Sequence, residues 1–241
     1  INYYQMTNVC LIGLGNWGKK VLRSLKKIKR IKNIQIIKNR KDKKKINLNN
    51  LKWVFITTPT NSHYQLVKKY LEKKINVFCE KPLTNDIKKD TELFKLAKKN
   101  KCKLYVSDIE NFKKIKIKLK TKNKIIRSKF SNNKKGILDR LAYHDFTYLY
   151  KFSNNKKISS FKIIRQKTGE LNILTNINNK EIQLLYSLNS KNKVHTFNEI
   201  NLIKKKNYLR IMIEKVISNK VNFDINKKLS LFANSAINIK R

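Results

Sequence analysis

The stretch Asn8-Val-Cys-Leu-Ile-Gly13-Leu-Gly15-Asn-Trp-Gly18 decides the fold. A short, mostly apolar run ends at a glycine, which is the pattern of a strand buried on both faces. Trp17 to Ile28 follows with Val21, Leu22, Leu25 and Ile28 at helical spacing. Three glycines therefore stand where a strand turns into a helix. In that context Gly13 makes the tight turn, Gly15 lets the backbone approach a pyrophosphate, and Gly18 lets helix and strand pack. The helix N-terminus offers N–H groups to the phosphates. The chain holds only 5 glycines in 241 residues, so three at this spacing are a specific signal of dinucleotide binding.

The alternation continues outward from this loop. Ile34–Ile37, Trp53–Ile56, Ile75–Phe78 and Lys103–Val106 read as strands, and Ser62–Lys74 and Asp86–Lys99 as helices. Strand and helix in turn predict a doubly wound parallel sheet. Lys38–Lys52 is rich in Lys and Asn and fits a crossover helix poorly, so an irregular connection is expected there. After about residue 120 the pattern becomes strand upon strand: Ile125–Phe130, Ile158–Arg165, Leu171–Ile177, Ile182–Leu188 and Val194–Ile200. A helix at Leu138–Phe152 interrupts them, and helices at Leu209–Ile217 and Leu229–Ile239 close the chain. The expected fold is an α/β Rossmann domain over residues 1–120, then a smaller α+β domain over 121–241 with an open, mostly antiparallel sheet.

Composition narrows the function. Net charge is +43, which attracts polyanions. The cations are mostly Lys and are spread along the whole chain, and Lys, Asn and Ile together are what an AT-rich genome encodes. Specific nucleic-acid recognition, which favours Arg forks gathered on one element, is not expected. No apolar run of about 18 residues is present, so no membrane span is expected. The first strand begins almost at once, so no signal peptide is expected. Cys10, Cys79 and Cys102 lack the spacing of a disulfide framework or a zinc site. They read as buried thiols of a cytoplasmic protein, and no metal is expected.

Two further features locate chemistry. Glu80-Lys81-Pro82 ends a later strand of the same sheet. Proline fixes φ and lacks a donor, so it aims Lys81 from a stiff turn. At the end of strand two, where a carboxylate commonly holds the ribose 2′-hydroxyl, stands Lys38-Asn39-Arg40-Lys41. Asn39 can bond a ribose and Arg40 can pair with a 2′-phosphate, which leans toward NADP; Arg40 as one more solvated cation remains the open alternative.

Gly13-Leu-Gly-Asn-Trp-Gly18, Thr58-Pro59-x-x-x-His63 and Cys79-Glu-Lys-Pro82 occur in an order that resembles the glucose–fructose oxidoreductase, inositol dehydrogenase and rhizopine catabolism (Gfo/Idh/MocA) family, in a shortened form. The resemblance implies hydride transfer between NADP or NAD and a hydroxyl carbon of a sugar, cyclitol or nucleotide sugar. It implies cofactor contacts from Gly13, Gly15, Asn16, Trp17, Gly18, Asn39, Arg40, Thr58, Pro59, His63, Glu80 and Lys81. Lys81 matches the family's catalytic lysine, Glu80 anchors its turn, and His63 is structural beside the cofactor. The second-domain motif Gly136-Ile-Leu-Asp-Arg-Leu-Ala-Tyr-His144-Asp145 resembles a segment in which an Asp stands four residues before a basic His. Here Arg140 stands four before His144 and Asp139 five before it. Either Asp139 serves through a shifted backbone or the pair is lost. A homo-oligomer through the second-domain sheet is expected. The alternative is a catalytically degenerate nucleotide-binding protein of the same fold, a sensor or assembly partner.

Overall fold

Val9, Cys10 and Leu11 have no exposed surface, because their strand lies inside a parallel sheet covered on both faces. The computed structural model describes residues 6–39, 46–153 and 160–238. Its first sheet comprises β1 (Thr7–Ile12), β2 (Ile31–Ile37), β3 (Leu51–Ile56), β4 (Asn76–Cys79) and β5 (Leu104–Val106), in the spatial order β2-β1-β3-β4-β5 with every pair parallel. Helices α1 (Asn16–Leu25), α2 (His63–Glu72) and α3 (Ile87–Lys99) connect the strands. α2 buries Val67, Tyr70 and Leu71 on its sheet side, as the 3.6-residue period requires. α3 starts at Asp86, whose carboxylate accepts the Lys88 N–H at 2.8 Å, and ends in Lys98 and Lys99, both favourable to the helix dipole. The described residues between β2 and β3 contain no helix, in line with the Lys/Asn-rich sequence there; Arg40 lies outside the described residues.

The chain reverses direction in the sheet between β1 and β3. β2 lies on one side of β1, and the path then returns to the other side. Such a switch point opens a crevice at the carboxyl ends of the strands, which is where doubly wound sheets bind ligands.

The second sheet comprises β6 (Lys122–Phe130), β7 (Ser160–Lys167), β8 (Glu170–Ile177), β9 (Lys180–Ser187), β10 (Asn189–Phe197) and β11 (Ile200–Asn201), in the order β11-β10-β6-β9-β8-β7. All pairs are antiparallel except β6 with β9. Asn178 and Asn179, with φ of 52° and 60°, make the tight turn between β8 and β9. α4 (Tyr143–Phe152) follows a π-turn at Leu138–Ala142 and packs Phe146 and Leu149 against Ile125, Ile173, Leu184 and Phe197 of the sheet. The chain closes with α5 (Tyr208–Ile217) and α6 (Phe223–Asn238).

The division of the chain differs from the boundary expected at residue 120. One compact unit holds the residues up to Ser107 together with Asn207–Leu231; the other holds Asp108–Lys206 and the end of α6. The reason is the C-terminal return. Asn226 accepts the Val106 N–H and donates to the Val106 carbonyl, both at 2.9 Å, so it extends β5. Phe223 stacks on Trp53 and meets Tyr105 edge-on.

Candidate active site

The glycine loop is shaped by its contacts with β2 and β3. Gly13 donates its N–H to Ile37 O and Leu14 to Lys38 O, both at 2.9 Å. Thr57 closes the other side: its N–H donates to Ile12 O at 2.9 Å, and its hydroxyl to Gly13 O at 2.6 Å. Gly13 has φ +96°, a conformation costly for any side chain, and an added Cβ would also meet Thr57 C at 2.9 Å. A Cβ on Gly18 would meet Gly13 O at 2.1 Å, so this glycine is required for α1 to approach β1. Gly15 differs, since a Cβ there would meet nothing within 4 Å. Its missing side chain leaves room for an occupant rather than for the protein.

An open cleft of about 1560 Å³ lies over this loop. Gly13, Gly15, Asn16 and Trp17 line it, together with Asn39 at the end of β2 and Thr58 and Pro59 after β3. α1 begins at Gly15 with no side-chain cap, so its first-turn N–H groups are left for a ligand. Room at Gly15 and an uncapped helix end fit a pyrophosphate, and Ile37, Leu48, Leu66 and Tyr70 on the same cleft fit an adenine.

His63, Glu80 and Lys81 do not line that cleft. His63 is 1% exposed. Its Nδ1 faces the Pro82 and Leu83 carbonyls at 3.0 and 3.2 Å, and its Nε2 faces the Thr58 carbonyl at 2.8 Å. Burial lowers its pKa against the pull of these carbonyls. A histidine so enclosed ties the turn after β3 to the turn after β4. The Lys81–Pro82 peptide is cis. Glu80 is buried, and burial raises its carboxyl, with the Trp17 indole, Ser107 and Lys81 acting in the opposite direction. Burial pushes the Cys10 thiol up to about 12 and Cys79 well above its ordinary value, so both are inert.

In the second unit, every residue from Leu141 to Tyr150 is buried except His144, which is partly exposed. A π-turn runs through the stretch where Asp139 stands five residues before His144. Tyr143 donates its N–H to Leu138 O, five residues back rather than four. Such a turn brings residues five apart onto one side of the helix, where four apart is the rule in an α-helix. Arg140 is engaged elsewhere: its guanidinium donates to Ser131 Oγ at 2.7 Å and to the Asn133 carbonyl. Asp145 is not near-partnered with His144. It accepts from Arg127 Nη1 at 3.0 Å and faces His195 Nε2 at 2.7 Å, with no exposed surface. Burial alone would raise it, but Arg127 and His195 outweigh burial and hold its carboxyl below the usual range. Arg127 also reaches Glu110 at 3.3 Å, and Glu110 accepts from Lys113 and Tyr148.

This buried network is what sequence reasoning missed. The signal was the strand period. Arg127 falls in step with Ile125, and His195 with Phe197, so both point at the core. Inward charges at a period of two require partners within the core.

A glycine loop at the switch point of a parallel sheet, under an uncapped helix end, defines a dinucleotide-binding Rossmann unit. Residues 7–108 match the model of the Gfo/Idh/MocA family, described as an oxidoreductase family with an NAD-binding Rossmann fold. No curated protein matches the chain in sequence. Solved structures match its fold. UDP-N-acetylglucosamine 3-dehydrogenase GnnA from Acidithiobacillus ferrooxidans is 12% identical with a TM-score of 0.78, over 98% of this chain and 97% of that one. The WlbA dehydrogenase from Thermus thermophilus, solved with NAD and UDP-GlcNAcA, is 11% identical with a TM-score of 0.75, over 96% and 93%. Biliverdin reductase from Synechocystis sp. PCC 6803, solved with biliverdin and NADP+, is 12% identical with a TM-score of 0.73, over 97% of both. No helix among the described residues is long and apolar enough to cross a membrane, and no group of three His, Cys, Asp or Glu among them is placed to hold a metal.

Proposed function

We propose that this protein transfers a hydride between NADP or NAD and a hydroxyl carbon of a sugar, cyclitol or nucleotide sugar. The observation that carries the reading is the grouping, on one edge of one sheet, of the glycine loop, the Thr57-Thr58-Pro59 turn and the Glu80-Lys81-Pro82 turn, with His63 clasping the latter two. The nicotinamide, when bound, takes or gives the hydride. The loop backbone of Gly13–Gly18 and the first turn of α1 hold the pyrophosphate. Lys81 donates a hydrogen bond to the substrate oxygen and stabilises it as it loses its proton. His144, partly exposed on an otherwise buried helix, accepts that proton, and Asp139 holds its ring across the π-turn. Two of the fold's relatives, GnnA and WlbA, are named for or solved with UDP-sugars, which favours a nucleotide sugar. Biliverdin reductase shares the fold, so the fold alone does not choose the substrate.

The test is reduction of NADP+ and NAD+ by a panel of UDP-sugars, free sugars and cyclitols. Lys81→Ala is expected to remove turnover with little change in melting temperature, and His144→Ala to lower kcat by roughly 10²–10⁴-fold. Turnover unchanged in both variants would overturn the assignment. With no carboxylate lining the cleft among the described residues, NADP+ should bind at least as well as NAD+. The +43 net charge favours the extra phosphate nonspecifically, so the comparison is made at rising salt. A preference for NAD+ of about tenfold that persists at high salt would reject it.

A further inference from the structure

His63 has more acceptors around it than its neutral ring can serve. It opens α2 and has 1% of its surface exposed. Its Nε2 lies 2.8 Å from the Thr58 carbonyl oxygen. Its Nδ1 lies 3.0 Å from the Pro82 carbonyl oxygen and 3.2 Å from that of Leu83. A carbonyl oxygen only accepts, and a neutral imidazole carries one N–H. In the neutral ring, one nitrogen therefore turns a lone pair toward a carbonyl oxygen at hydrogen-bond distance, in a place closed to solvent. Only the doubly protonated ring donates on both sides.

The two sides belong to different turns. Thr58 follows β3 and lines the dinucleotide cleft beside Pro59. Pro82 and Leu83 follow Lys81 in the turn after β4. Among the described residues, the hydrogen-bond partners of the ring are these three carbonyls. The elements around it carry further charged and titratable groups. Tyr64 on α2 donates to Glu92, Glu80 and Lys81 stand on the β4 turn, and Asp90 on α3 accepts from Thr84 Oγ at 2.6 Å. Burial works against a charged ring and outweighs the three carbonyls, which work for it, so the second proton arrives below the ordinary histidine value.

We propose that His63 is a positioning residue that acts through its second proton: the neutral ring holds one turn, the imidazolium holds both, and a dinucleotide seated against Thr58 and Pro59 binds with uptake of a proton at His63 and so fixes the Lys81 turn. The pyrophosphate brings negative charge to the cleft, which favours a cation in the wall behind it. The proposal rests on the reading of the cleft as a dinucleotide site and of Lys81 as a site residue.

The chain has three histidines, so a ¹⁵N-histidine-labelled full chain gives a readable spectrum. His63→Asn assigns the ring; where that variant does not fold, His144→Gln and His195→Gln assign it by elimination. Ring ¹⁵N shifts distinguish one N–H from two. NAD+ is the probe, because it lacks the 2′-phosphate, a group that itself titrates near about pH 6. Saturating NAD+ is expected to raise the midpoint of His63 protonation. By linkage, the NAD+ Kd should tighten about three- to tenfold between about pH 8 and about pH 5, the scale of one net hydrogen bond. His63→Asn cannot take the charge and should lose that dependence. Ring shifts that ignore NAD+ across this range overturn the proposal. So does a pH dependence that persists in His63→Asn, and its disappearance in Glu80→Gln would then assign it to Glu80. NAD+ binding without proton uptake defeats this proposal alone, whereas no NAD+ binding at any pH defeats the dinucleotide reading with it.

Discussion

Gly15 and Gly18 stand three residues apart in one loop and do opposite work. A methyl group at Gly18 would collide with the Gly13 carbonyl, a backbone atom that cannot yield cheaply. A methyl group at Gly15 would enter open space in the cleft. Gly18→Ala should therefore lower the melting temperature and dinucleotide affinity together. Gly15→Ala should leave the melting temperature within about 2 °C, because the folded chain has room for it, and weaken dinucleotide binding by tenfold or more. Thermal unfolding beside a binding titration separates the two. The packing role of Gly18 could be read from the sequence, because a glycine fingerprint between strand and helix has few geometric solutions. The role of His63 was legible only in part. Its place beside the Thr-Pro turn was expected, but its enclosure by the Thr58, Pro82 and Leu83 carbonyls depends on how two distant turns meet.

At the scale of elements, a π-turn at Leu138–Ala142 leads into α4, and Asp139 stands five residues before His144 across it. If its purpose is to bring Asp139 into line with His144, deleting Arg140 should relax it to a plain α-helix with four-residue spacing. Turnover should then stay within about threefold of the unmodified chain, because i,i+4 neighbours share a helix face. Asp139→Asn should cost more. An inactive deletion variant with intact folding, judged by circular dichroism, would show that the turn serves something else. The same helix carries Thr147, whose hydroxyl donates to Asp108 at 2.7 Å. Burial raises the Asp108 carboxyl to about 6, and neighbouring Glu110 adds to the shift. A raised carboxyl favours the folded state while protonated. Its contribution is full below the unfolded value near 4 and is lost as pH climbs through about 6. Asp108→Asn should flatten stability over that interval and stabilise the protein at pH 7 by up to roughly 3 kcal/mol. Asp145 has the opposite sign. Its lowered carboxyl stabilises the fold above the ordinary carboxylate range, and that contribution disappears as acid protonates it. Denaturant titrations across pH check both directions.

For the whole molecule, the decisive fact is that the chain comes back. Residues 207–231 complete the unit begun by residues up to Ser107. Asn226 supplies both partners of the Val106 backbone across 120 residues of sequence, and it is 2% exposed. Asn226→Ala would strand a buried N–H and a buried carbonyl, at a cost of about 2–3 kcal/mol in equilibrium unfolding. A change below about 0.5 kcal/mol would mean that water replaces the side chain, and the C-terminal return would then be held by apolar contacts alone. Nothing in the local sequence around Asn226 announces this, since asparagine is abundant throughout the chain.

By itself the sequence determined what local periodicity encodes. Val9, Cys10 and Leu11 had to be buried, α1 had to follow the glycine loop, and the strands after residue 120 had to alternate, because a period of two or 3.6 shows in every short window. Tertiary structure alone decided which distant residues meet. It gave Asp145 to Arg127 and His195 rather than to neighbouring His144, set β6 parallel to β9, and returned Asn226 to β5. The physical reason is that a buried polar group accepts whichever complementary partner the packed chain brings within about 3 Å, and that choice is made by the fold as a whole.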